Sequence, residues 1–214
     1  MGMLTRLTDP FGNTTSYAYN DQQELTKMTN PLGHTTQYSY DSRGNLDEIR
    51  NAQGYTQRFS YDSHSNLTAH RDENGHETTY EYNLRDEKTA TIDALGHRTE
   101  YAYDGVGNET LLVKPNGITR SQSFDARRRV TERAFTQAGE AVNPGQFAFT
   151  YNSLDKLLGV SQTQADGNTR LHSYAYDSMG RLTEAQDIGG VSQFTHDLNG
   201  NLSTESIGQE SRSY

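Results

Sequence analysis

Histidine and aspartate recur in this sequence at intervals regular enough to suggest a site. His34, His76 and His97 each follow a glycine, at Gly33, Gly75 and Gly96. Stacked on one edge of a sheet, such imidazoles could ligate Zn²⁺. Copies two strands apart lie ~9.6 Å from one another, too far for two rings to share an ion easily, and no third ligand repeats beside them. A second array is Asp41, Asp62, Asp104, Asp125, Asp177 and Asp197, which could be read as carboxylates for Ca²⁺ or for acid–base chemistry. Each stands directly before a turn, where an Asx side chain bonds the local backbone, and a catalytic pair would occur once instead of at every copy. There is no Gly-x-Ser-x-Gly elbow, and the absence of cysteine removes thiolate ligands, a thiol nucleophile and disulfides. The expectation is no catalytic residue, no metal, no cofactor and no enzyme.

Aromatic rings carry the third pattern. They come two residues apart as Tyr17/Tyr19, Tyr38/Tyr40, Phe59/Tyr61, Tyr80/Tyr82, Tyr101/Tyr103 and Tyr174/Tyr176, with Phe124 and Tyr151 in the same phase. A spacing of two on a strand puts both rings on one face. Rings flanked by Asn, Gln and Asp could stack on sugars, so a carbohydrate-binding or adhesion module is the alternative function. Their strict phase favours rings that hold a sheet together, because a binding site would gather on a few copies.

The elements that position these residues repeat every 21 residues. A turn signature opens each unit: Asp9-Pro10-Phe11-Gly12, Asn30-Pro31-Leu32-Gly33, Asn51-Ala52-Gln53-Gly54, Asp72-Glu73-Asn74-Gly75, Asp93-Ala94-Leu95-Gly96 and Lys114-Pro115-Asn116-Gly117. Proline presets φ for the second position, and Gly12, Gly33, Gly54, Gly75, Gly96 and Gly117 supply a left-handed residue. Strands over 14–19, 35–40, 56–61, 77–82 and 98–103 follow, with no proline expected inside a strand. A second turn comes after the last ring, and an apolar residue six positions after that ring (Leu25, Leu46, Leu67, Val130, Leu157, Leu182, Leu202) starts a return strand such as 46–50. Lys88 and Glu109 break that rule and predict a more variable return strand. Beyond Phe124 the spacing loosens; Gly139, Pro144 and Gly145, then Ala165-Asp166-Gly167-Asn168, read as enlarged hairpin loops. The sequence thus predicts an all-β chain of about nine 21-residue hairpins, roughly 18 strands, forming a curved antiparallel ribbon. It reads as a single array over 1–214, with regular units in 4–135, longer loops in 136–170 and the pattern resuming in 171–214.

Composition agrees with a thin sheet. Only 31% of the 214 residues are hydrophobic and mean hydropathy is −0.94, too polar for a closed two-layer core of this size. Low hydropathy and a net charge of −9 would suggest disorder, but the strict period and 14 tyrosines count against it. A pI near 5.2 disfavours nucleic acid and anionic membranes as partners; the basic run Arg127-Arg128-Arg129 reads as a solvated turn. No apolar stretch approaches the ~20 residues of a membrane span, and no secretory signal segment is read. Met1-Gly2-Met3 reads as the start of an excised piece.

The runs Tyr40-Asp41-Ser42-Arg43-Gly44-Asn45-Leu46, Tyr103-Asp104-Gly105-Val106-Gly107-Asn108 and Tyr176-Asp177-Ser178-Met179-Gly180-Arg181-Leu182, with the Asx-Pro-x-Gly turn, resemble the YD repeats of Rhs proteins over about residues 4–203. The resemblance implies a β-sheet that spirals into a hollow shell enclosing a C-terminal toxin, as in Rhs effectors and the C component of insecticidal toxin complexes; teneurins carry a related shell. In those families a self-cleaving aspartyl-protease-like segment ends the repeats, and no counterpart is read here. The expectation is an open fragment of shell wall, a ribbon about 85 Å long. Its partners would be the rest of the shell and a C-terminal toxin in a bacterial, exported or cell-surface effector, with open sheet edges available for self-association.

Overall fold

The computed structural model describes residues 2–207 and 210–213. They form twenty strands and no helix, all belonging to one antiparallel sheet. The chain divides into two compact units, Met1–Glu100 and Tyr101–Tyr214. The first holds β1 (Arg6–Thr8), β2 (Thr14–Tyr19), β3 (Leu25–Thr29), β4 (Thr35–Tyr40), β5 (Leu46–Arg50), β6 (Thr56–Tyr61), β7 (Leu67–Arg71), β8 (Glu77–Tyr82), β9 (Lys88–Ile92) and the start of β10 (Arg98–Tyr103). The second continues with β11 (Glu109–Val113), β12 (Ile118–Phe124), β13 (Val130–Gln137), β14 (Glu140–Tyr151), β15 (Leu157–Thr163), β16 (Thr169–Tyr176), β17 (Leu182–Asp187), β18 (Gly190–His196), β19 (Leu202–Ile207) and β20 (Glu210–Ser213). Within each unit consecutive strands pair. Among the described residues β1 pairs only with β2 and β20 only with β19.

Two regularities of register recur through both units. First, a bulge recurs in the return strands β3, β5, β7, β9, β13, β15, β17 and β19. Ala18 faces Lys27 while Tyr19 faces Leu25, leaving Thr26 without a partner; Asp47, Thr68, Leu158 and Thr183 stand in the same place. The bulge puts side chains three apart, such as Leu25 and Met28, on the ring-bearing face. Second, the register advances by two residues per hairpin. Tyr17 faces Met28, Met28 faces Thr36, and the next ring, Tyr38, lies two residues further on. Phe149, Val160, His172 and then Tyr174 repeat this step in the second unit. An advance of ~7 Å along the strands for ~9.6 Å across them corresponds to a strand tilt of roughly 35°.

The sheet is one layer deep. Ala90 is the only fully buried hydrophobic residue among those described. Its two cross-strand partners are Glu81 and Glu100. Arg98 bonds both carboxylates, at 2.7 and 2.6 Å to Glu81 and 2.8 Å to Glu100, and the three side chains close over the methyl.

Strands β2 to β19 are the nine expected hairpins; β1 stands ahead of them as a return strand, with Leu4 and Leu7 preceding Leu25 and Met28 by 21 residues, and β20 follows them, which makes twenty among the described residues. Three expectations need correction. The return strands at Lys88 and Glu109 start in the same place as the others, since backbone pairing there does not require an apolar first residue. The looser spacing after Phe124 lengthens strands instead of loops. The 164–168 turn has the ordinary five-residue geometry, and the four extra residues fall two in β15 and two in β16, which keeps each side chain on its face. Finally, Pro144 lies inside β14. Ala134 faces Gln146 and Thr136 faces Ala141, so residues 142–145 bulge out opposite Phe135, where a residue without an N–H costs no ladder bond.

Candidate functional site

Both edges of the sheet use one recurrent five-residue turn, although the sequence signals look different; Ala138-Gly139 and Ile188-Gly189 are two-residue turns instead. In 41–45 the Asp41 N–H donates to the Asn45 carbonyl and the Gly44 N–H donates back to Asp41, at 2.8 and 3.0 Å. Asp41 Oδ1 accepts the N–H groups of Arg43 and Asn45, and Oδ2 accepts the Asn45 amide. Asp62, Asp104 and Asp177 each accept the N–H groups of the third and fifth turn residues in the same way. The fourth position is left-handed throughout: Gly12, Gly33, Gly54, Gly75, Gly96 and Gly117 hold φ between +79° and +87°, and Gln23, Ser65, Asp86, Arg128 and Asp155 take that place in other copies.

These bonds hold the carboxylates below their ordinary range. For Asp41 and Asp62 the leading cause is the side-chain amide of Asn45 or Asn66; for Asp104 and Asp177 it is the backbone N–H of Asn108 or Arg181. A depressed pKa contributes stability above the ordinary value of 3.8 that is lost as pH falls through the folded value. Asn30 and Asn51 make the same backbone bonds without titrating. Converting Asp41, Asp62, Asp104 and Asp177 to Asn is therefore expected to lower the acid-unfolding midpoint followed by circular dichroism. An unchanged midpoint would count against the turns as the acid-labile element.

The histidines do not converge. Nδ1 of His76 lies 3.1 Å from Asp72 Oδ2, and Nδ1 of His97 lies 2.9 Å from Asp93 Oδ2, each within its own turn. No group of three or more His, Cys, Asp or Glu side chains among the described residues could hold a metal ion.

The tyrosines separate into two rows with different bonding. In the second row, the hydroxyls of Tyr19, Tyr40, Tyr61, Tyr82 and Tyr151 donate to the carbonyls of Leu4, Leu25, Leu46, Leu67 and Val130 at 2.9–3.0 Å. Leu25, Leu46, Leu67 and Val130 each directly precede a bulge residue, where the ladder is interrupted, and the ring of the next hairpin satisfies the carbonyl. Burial pushes the Tyr40, Tyr61 and Tyr82 hydroxyls up from their ordinary value. Phe124 has no hydroxyl; Gln122 Nε2 reaches the corresponding Glu109 carbonyl instead, at 3.1 Å. First-row hydroxyls of Tyr17, Tyr38, Tyr80 and Tyr174 have no hydrogen-bond partner among the described residues. Phe59, in that row, stacks on His70 at 4.8 Å. Tyr101 and Tyr103 occupy the two rows of β10, and Tyr176 ends β16 opposite Leu182.

Neighbouring second turns are also stitched together. Arg43 reaches the Asp62 carbonyl at 2.6 Å, Asn66 reaches Asp86 at 2.7 Å, and Arg181 reaches the Asp197 carbonyl at 3.1 Å. Arg127 and Arg129 grip Ser153, Asn152 and Asp155, so two members of the basic run are structural. One stitch titrates: His64 Nδ1 lies 2.7 Å from Asp86. That bond, then the charges of Asp86 and Asp62, raise His64 above 6.5, and the same bond lowers Asp86 below 3.8. The His64 contribution is full below 6.5 and fades as pH rises through its folded pKa, whereas that of Asp86 is lost as pH falls below 3.8. By NMR, His64 is expected to titrate above 6.5 and to fall back toward that value in Asp86→Asn. The same midpoint in both proteins would rule the stitch out.

Sequence reasoning did not find the bulges, the second ring-facing residues Met28, Ile49 and His70, or the division of the tyrosines. The three-residue spacing of Leu25/Met28 and Leu46/Ile49 was the available signal.

A one-layer meander of tilted hairpins, latched ring to carbonyl across every other strand, defines a β-repeat wall. The RHS Repeat family model matches residues 2–35, 19–57, 40–77, 61–98 and 151–192. These segments cover more than half of the chain, and it belongs to that family. Among solved structures, the Tc holotoxin pore of Photorhabdus luminescens matches with a TM-score of 0.63 at 12% identity, over 92% of this chain and 12% of that one. The TcdB2–TccC3 structure without its hypervariable C-terminal region matches with a TM-score of 0.61 at 19% identity, also over 92% and 12%. At these identities the likeness shows the fold, and the chain spans only about an eighth of either relative. No curated protein matches it. No helix among the described residues is long and apolar enough to cross a membrane.

Proposed function

We propose that the chain is a structural, non-catalytic segment of a toxin-enclosing β-shell. The observation that carries this is the latch lattice. The turn carboxylates and second-row hydroxyls are bonded to the chain's own backbone, copy after copy, at a constant two-residue advance. Groups spent in this way hold a wall together and leave little chemistry for a substrate. The paired aromatic rings and the turn glycines and aspartates are therefore structural, and the array runs through 1–214. The solved structures sharing its fold are toxin assemblies, which supplies the setting: a larger bacterial, exported effector whose remaining shell and C-terminal toxin are the partners. The wall acts by containment, keeping other proteins away from the cargo.

A screen of the intact chain against glycans, paired with a scan of single ring truncations, tests this. The wall reading expects no selective glycan binding and a graded loss of stability from repeat to repeat. Selective binding abolished by one local tyrosine cluster would sink it in favour of a carbohydrate module.

A further inference from the structure

We propose that Asn116 is a spontaneous deamidation site, exposed to that chemistry because its own turn lacks a carboxylate latch. Asparagine precedes glycine at Asn74-Gly75, Asn116-Gly117 and Asn199-Gly200, and each of these asparagines is exposed at the third place of a five-residue turn. Glycine has no Cβ to shield its nitrogen. In the reaction, the backbone nitrogen of Gly117 attacks Cγ of Asn116. A Cγ–N bond forms, the Cγ–Nδ2 bond breaks, and ammonia leaves with the proton released from the backbone N–H. Water then opens the succinimide at either carbonyl, giving aspartate or isoaspartate.

The fold opposes this step at all three sites. The Gly75, Gly117 and Gly200 N–H groups donate to the carbonyls of Asp72, Lys114 and Asp197 at 3.0, 2.9 and 3.1 Å, so each turn must open before its nitrogen can attack. What differs is the latch. Asp72 Oδ1 accepts the N–H groups of Asn74 and His76, both at 2.9 Å. Asp197 Oδ1 accepts those of Asn199 and Asn201 at 2.9 and 2.8 Å. Lys114 has no carboxylate to offer. Its turn is held by the Ile118 N–H on Asn116 Oδ1, at 3.2 Å, and by Gln137 Nε2 on the Asn116 carbonyl, at 2.8 Å. Modification there places a new carboxylate between β11 and β12 and, as isoaspartate, an extra backbone methylene.

The test is to incubate the intact chain at mildly alkaline pH and follow each site by peptide mass mapping with isoaspartate detection. Asp72 and Asp197 each make a third bond, to His76 Nδ1 and Asn201 Nδ2, against two side-chain bonds in the Asn116 turn. Asn116 is therefore expected to convert about fivefold faster than Asn74 or Asn199, the factor that one hydrogen bond carries. Lys114→Asp restores the acceptor and is expected to slow Asn116 toward the other two, and in denaturant the three rates should come together. Equal native rates would overturn the proposal, as would a folded Lys114→Asp protein that converts as fast as the parent. A rate order that persists in denaturant would also overturn it, because flanking sequence would then set the order.

Discussion

Gly145→Ala is expected to destabilise the second unit by roughly 2–5 kcal/mol, the sum of left-handed backbone strain and overpacking. Gly145 sits in the 142–145 bulge of β14 with φ +86°, and a Cβ built there would lie 2.1 Å from the Thr163 carbonyl oxygen and 2.9 Å from the Gln164 Cα. Both obstacles are backbone, so no side-chain rotation relieves them, and either β14 or the end of β15 must move. Gln162 Nε2 bonds the Pro144 carbonyl at 2.9 Å, which ties that strand end to the bulge and raises the cost of moving it. Gly139 is the internal control. It has φ +87°, but nothing lies within 4 Å of its would-be Cβ, so Gly139→Ala should incur strain alone, about 1–2 kcal/mol. Urea unfolding of the two variants measures the difference. Equal losses would show that the bulge does not press on β15.

What the sequence made legible was whatever repeats. The strands from Thr14–Tyr19 to Arg98–Tyr103 could be placed because a turn glycine and a ring bound each one, and both signals are local. Leu46–Arg50 followed from its leading leucine. The bulge was not legible in the same way. It is a relation between two strands, visible only as the three-residue spacing of Leu25 and Met28, which looks like noise when strands are read with period two. The two rows of tyrosines were hidden for a related reason. Tyr38 and Tyr40 are chemically identical, and only the bulge in the preceding hairpin decides which hydroxyl has a carbonyl to meet. Beyond Phe124, Gly139 and Pro144-Gly145 look like a loop in the sequence because glycine and proline ordinarily punctuate strands. The structure instead makes a two-residue turn at Ala138-Gly139 and carries the strand on through a bulge. Turn chemistry can be read residue by residue, whereas interruptions of the ladder need the partner strand.

Replacing Tyr19, Tyr40, Tyr61 and Tyr82 together by Phe is expected to cost the first unit about 4 kcal/mol, near 1 kcal/mol for each hydrogen bond removed. Each substitution keeps the ring, so the loss isolates the latch on the Leu4, Leu25, Leu46 or Leu67 carbonyl. Those carbonyls are only partly shielded. Water can replace part of the lost bond, which keeps each cost near 1 kcal/mol instead of the ~3 kcal/mol of a fully buried orphan. Successive latches are separated by two strands and share no partner, so their effects should add. A total of this size rivals the whole stability of a small unit, about 5 kcal/mol at the low end, and the quadruple variant should melt far below the parent. Tyr17, Tyr38 and Tyr80 changed together to Phe should leave stability almost untouched, because their hydroxyls hold no partner among the described residues. The contrast separates two readings of the aromatic face. If the rings merely cover the sheet, both sets behave alike. If the second row bolts each hairpin to the bulge of the one before it, only the first set fails, and it fails in proportion to the number of bolts removed.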